Sequence, residues 1–273
     1  MKIAMNQTSK LFLSFIILVS FLCSAGTHYG KVKTGIYDDV SRGVQYSVYV
    51  PENFNSNKKY PLIIALHGGR DIRSEDYVSY WVDEARKRGY VVVCPKSKYE
   101  QEKDIQRPFL WEFGYDNDRI IAMLPSLIAK YNIDRKRILL TGMNGLVFYI
   151  GINHPELFSA LAPIQMTILM KKYPDQSWVD EFDTDSVNYS TISLDKSLQY
   201  SNEKEKQIPI LMVNGKDSKF ISEEDIQMSI DRLKSFGYDA RYQMIDSMGD
   251  YHDEKANSVI LDWFESKIPP KSL

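Results

Sequence analysis

Tyr60-Pro-Leu-Ile-Ile-Ala-Leu-His-Gly-Gly69 decides the fold. Tyr60 to Leu66 is a continuous apolar run, the pattern of a central strand buried on both faces of a parallel sheet. It breaks at His67-Gly68-Gly69, where glycines free the backbone to turn its N–H groups toward a ligand.

Strands and helices alternate on either side of this run. Tyr46-Ser-Val-Tyr-Val-Pro51 reads as an early strand ending at a proline. Ser74 to Arg88 carries Tyr77, Tyr80, Trp81, Val82 and Ala85 at helical spacing and closes on Gly89. Tyr90-Val-Val-Val-Cys94 is the next strand. A helix is predicted over Asp118 to Tyr131, a strand over Arg137 to Thr141, a short helix over Gly145 to Asn153 and a strand over Ser159 to Ile164. The alternation lapses from Thr167 to Lys206, a polar and aromatic stretch that reads as a lid-like insert. It resumes with a strand at Ile208 to Val213, a helix at Ser222 to Phe236, a strand at Ala240 to Ile245 and a last helix at Asp253 to Ile268. Such a chain is α/β: a mostly parallel sheet with helices on both faces, binding ligands at the carboxyl ends of its strands.

The 273 residues suffice for one α/β domain, read as 27–273 with the insert at 167–206. A net charge of −2 gives no overall field for nucleic acid. The two cysteines, Cys23 and Cys94, exclude a disulfide framework, and the four scattered histidines (His28, His67, His154, His252) have no metal-ligand spacing. No metal and no cofactor is expected. Lys2 and Lys10 precede an apolar run from Leu11 to Leu22, interrupted by Ser14 and Ser20, and small residues follow at Ser24, Ala25 and Gly26. Residues 1–26 therefore read as a signal peptide, giving a secreted or periplasmic cell-envelope protein. The alternative is a lipoprotein signal ending before Cys23, which would tether the chain to a membrane.

Acyl transfer on such a sheet requires a nucleophile at a strand-to-helix turn, a histidine base, an acid that orients it, and backbone donors for the oxyanion. Leu66-His67-Gly68-Gly69 suits the oxyanion loop. Asp217, just past the strand ending at Val213, suits the acid, with Asp246 in reserve. His252, between the last strand and the last helix, suits the base.

The stretches Tyr46 to Pro51, Tyr60 to Gly69, Tyr131 to Gly142, His154 to Pro163 and His252 to Phe264 together resemble the α/β-hydrolases. The likeness is to their secreted esterase branch, which holds feruloyl and acetylxylan esterases and polyhydroxyalkanoate depolymerases. It implies a carboxylic-ester hydrolase fold with an ester or an acylated polysaccharide as partner. The family has Gly-x-Ser-x-Gly at the turn; this chain has Gly142-Met-Asn-Gly-Leu146. In one alignment Asn144 takes the serine position. In another the serine is deleted and Asn144 stands one place after it. Neither supplies a serine or cysteine, and an amide is a poor nucleophile. Asn tolerates a positive φ, so the strained turn is expected to survive, with the Gly145 N–H still able to bind an anion. The resemblance thus implies an impaired enzyme that binds; an esterase using His252 and Asp217 with other chemistry is the alternative. Asn144-Gly145 is also prone to deamidation, which would put an aspartate at the turn.

Overall fold

A computed structural model describes residues 32–68, 72–103, 111–168 and 208–268. The expected signal segment, Cys23, Gly69 and residues 169–206 of the expected insert lie outside them.

Eight strands form one sheet: β1 Gly35–Ser41, β2 Val44–Val50, β3 Tyr60–Leu66, β4 Val91–Pro95, β5 Ile133–Gly142, β6 Ala160–Pro163, β7 Ile210–Gly215 and β8 Ala240–Ile245. Their order is β1-β2-β4-β3-β5-β6-β7-β8. β2 runs antiparallel to both neighbours and every other pairing is parallel, as the alternating pattern predicts. β3, read as the buried central strand, is buried at all seven positions. It lies between β4 and β5, so the chain leaves it in one direction and later returns on its other side. That reversal opens a crevice at the carboxyl ends of β3 and β5, where Leu66 pairs with Gly142.

The helices are α1 Ser74–Ser79, α2 Val82–Arg88, α3 Lys98–Glu102, α4 Phe113–Lys130, α5 Leu146–Asn153, α6 Glu223–Ser235 and α7 Lys255–Lys267. On one sheet face, Tyr77, Trp81 and Ala85 meet Ile260, Leu261 and Phe264 of α7 over Ile63, Ala65, Val92, Leu139 and Val213. Alternate strand residues such as Leu62, Ile64, Leu140 and Leu161 point the other way and are equally buried. α4, α5 and α6 contact β5, β6 and β8. Cys94 is a buried free thiol in the first layer, the small apolar side chain its lack of a partner implies.

Three elements differ locally from those expected. β1 is an added strand, turned into β2 by Arg42 and Gly43, both at positive φ (49° and 78°), the geometry of a two-residue hairpin. The helix expected over 74–88 breaks at Tyr80-Trp81 into α1 and α2, and the Gly89 N–H closes the second on the Ala85 carbonyl at 2.8 Å. α4 starts five residues before Asp118, and the Asp116 carboxylate in its first turn accepts the Glu112 N–H at 2.8 Å.

Candidate functional site

The turn after β5 is built around Gly142. Its φ is 138°, and a Cβ there would overlap the Leu66 carbonyl. β3 and β5 can approach only because this residue has no side chain. The Met143 N–H then donates to Leu66 O at 3.0 Å, and the chain enters α5 through Asn144 and Gly145.

Asn144 is committed to that helix. Its Oδ1 accepts the Leu146 N–H at 2.9 Å and its carbonyl accepts the Val147 N–H at 3.1 Å, satisfying donors of the first turn. The positive φ of the turn belongs to Gly142, and Asn144 is not among the residues that carry one. The strained turn expected at Asn144 is therefore not formed. Gly145, expected to lend its N–H to an anion, sits at φ −61° and ψ −20° as the residue leading into α5.

Met143 is the side chain that reaches across the crevice. Its Cβ lies 3.5 Å from where a Gly68 Cβ would stand, and its Sδ accepts the backbone N–H of His252 at 3.1 Å. A thioether therefore joins the turn after β5 to the loop carrying the histidine.

His252 is 6% exposed, with Tyr77, Tyr80 and Trp81 around its ring at centroid distances of 5.3, 5.7 and 5.4 Å. Burial pushes its pKa down to about 4, against smaller upward pulls from Asn257 and Asp253. Its Nε2 lies 2.7 Å from Asn257 Oδ1 on α7, and its Nδ1 meets no partner among the described residues. The expected pair with Asp217 is thus not made. Asp217 is exposed, its N–H held by the Met248 carbonyl at 3.0 Å. Asp246, the reserve acid, is an exposed partner of Lys216 at 2.6 Å. Asn257 was missed by sequence reasoning because it sits inside a helix, five residues past the histidine, where a polar residue reads as solvent-facing.

Gln165 holds the histidine loop to the sheet. At φ 52° and 6% exposure, it accepts the Gly215 N–H at 3.2 Å and the Asn214 amide at 3.3 Å, and it donates to the Gly249 carbonyl. A buried non-glycine residue in the left-handed region is a costly conformation held by its surroundings. Gly215 completes the join, since a Cβ there would overlap the Met248 carbonyl.

His67 and Gly68 leave the end of β3 as expected, but the His67 ring turns inward. It is fully buried, its Nδ1 lies 2.7 Å from the Gly68 carbonyl, and its Nε2 approaches Glu100 at 3.1 Å. Trp111 packs against the ring at 4.7 Å and donates its indole N–H to the His67 carbonyl at 3.0 Å. Burial pushes the Glu100 carboxyl up, but His67 and the Ser74 donors outweigh it and hold it below the usual range. Ser74 bonds Glu100 through its hydroxyl at 3.0 Å, meets Ser47 at 3.2 Å, and Ser47 donates to Asp38 at 2.6 Å. The ring in the oxyanion motif thus braces the loop from behind. Among the described residues no His/Cys/Asp/Glu group could hold a metal ion.

No protein-family model matches the sequence, and no curated protein matches it. Solved structures do. A ferulic acid esterase superposes with a TM-score of 0.60 at 17% identity, over 86% of this chain and 97% of its own. Est1E from Butyrivibrio proteoclasticus superposes at 0.60 and 14%, over 87% of this chain and all of its own. A thermostable esterase gives 0.52 at 22% identity; the chain spans 62% of its length, and 35% of that of a putative dipeptidyl aminopeptidase IV from Bacteroides ovatus.

The chain has the α/β-hydrolase fold.

On this α/β-hydrolase scaffold, the strand ends bring together Gly68, Met143 and His252. They leave Asp217 outside that contact and use Asn144 as a helix cap. The residue that reaches toward the histidine loop from the turn is thus Met143.

Proposed function

We propose that this chain is an exported α/β-hydrolase-fold protein that binds an ester or acylated glycan without cleaving it. The observation that carries the reading is the position of Met143, between Gly68 and the histidine loop, with its sulfur on the His252 N–H. A thioether is no nucleophile for an acyl group. Asn144, beside it, spends its side-chain oxygen on α5. His252 holds one ring nitrogen on Asn257 and not on Asp217. Removing the serine of one studied serine hydrolase lowers its rate by about 10⁶, so the loss of the nucleophile alone favours binding over turnover. Export rests on the Lys2 and Lys10 charges ahead of the apolar run Leu11 to Leu22.

Mass spectrometry of acetylated xylan fragments incubated with the protein tests this. Fragments that are retained and recovered with every acyl group intact are the expected result. Deacylated product, formed at a rate that disappears in His252→Ala, would replace the binding role with a hydrolytic one.

A further inference from the structure

The two nitrogens of His252 can be told apart by following one amide. Asn257 Nδ2 lies 2.6 Å from the Tyr80 carbonyl oxygen. A carbonyl only accepts, so the NH₂ end of Asn257 faces Tyr80 and the oxygen end faces the histidine. Turning the amide over would set two carbonyl oxygens against each other, so the network itself fixes the orientation. Asn257 Oδ1, 2.7 Å from His252 Nε2, also only accepts, so Nε2 carries a proton. The lone pair of the neutral ring then sits on Nδ1, the atom without a partner among the described residues.

We propose that Asn257 is the positioning residue of His252, locking it as the Nε2–H tautomer with Nδ1 as its free acceptor. In an acyl-transfer triad the acid takes Nδ1–H and Nε2 collects the proton of the nucleophile. Here the nitrogens exchange those parts, and the orienting group is an uncharged amide on α7 instead of a carboxylate after β7. The anchor is also different in kind: Asn257 is 1% exposed and tied to Tyr80 at the α1–α2 break, so the ring is referenced to the helical layer. The Tyr77 and Trp81 rings pack on the histidine at centroid distances of 5.3 and 5.4 Å. This assignment does not depend on whether the protein cleaves esters.

The test is ¹⁵N NMR of histidine-labelled protein near neutral pH. Expected are a protonated-type Nε2 and an unprotonated-type Nδ1 for His252, unchanged in Asp217→Ala. Asn257→Leu should give mixed tautomers. An Nδ1–H signature in the wild type, or a spectrum altered by Asp217→Ala, would overturn the proposal. If Asn257→Leu does not fold, the wild-type and Asp217→Ala spectra still decide it.

Discussion

The Met143 thioether accepts the backbone N–H of His252 at 3.1 Å, tying the turn after β5 to the loop after β8. Replacing Met143 with alanine should remove that bridge and part of the packing on Gly68. For this half-buried side chain the expected loss is about 1–3 kcal/mol, read from urea unfolding midpoints. An unchanged midpoint would mean that the bridge contributes nothing to the fold.

Gly142 should be intolerant of any side chain. Its φ of 138° and the overlap a Cβ would make with Leu66 both oppose substitution. Gly142→Ala should cost about 3 kcal/mol or more, and heating curves of the purified variant would measure it. Wild-type stability in that variant would show that β3 and β5 do not need this close approach.

Asn144 should behave as a helix cap. Asn144→Ala should lose about 1 kcal/mol, while Asn144→Ser and Asn144→Asp keep an acceptor for the Leu146 N–H and retain stability. Aspartate also places negative charge at the positive end of α5, so deamidation there would leave a competent cap. Equal losses in all three variants would show that the side-chain oxygen is not what matters.

His252 should make the protein sensitive to mild acid. Its native pKa of about 4 lies below the unfolded value of 6.5. As pH falls from 6.5 toward 4, the unfolded chain gains a proton that the buried ring refuses, and stability drops by on the order of 3 kcal/mol in all. Asp116, raised to about 6 mainly by burial, works in the opposite direction over an overlapping range. Comparison with His252→Gln isolates the histidine. The difference between pH 7 and pH 4.5 unfolding free energies should be smaller in the variant, and an identical difference would remove His252 as the cause.

Much of the fold was legible because its signals are local. The apolar run Tyr60 to Leu66 could only be a strand buried on both faces, and Gly89 marked the end of α2 where it stands. The histidine's place after β8 followed from chain order. Its partner did not, since Asn257 and Asp217 differ in three-dimensional reach, which periodicity does not encode. The turn was misread for a related reason. Sequence alignment asks which residue stands in the serine position, whereas the backbone places its positive φ on Gly142 and gives Asn144 to the helix. β1 was missed because Asp38 and Asp39 interrupt its apolar alternation, and Arg42-Gly43 is not a strong turn signal.

The most direct test is turnover of short-chain chromogenic esters by the protein beside Asn144→Ser and His252→Ala. All three should be inert: the Asn144 side chain bonds the first turn of α5, so a serine there caps the helix and does not attack an ester. Wild-type turnover abolished by His252→Ala would contradict it, and so would activity gained by Asn144→Ser.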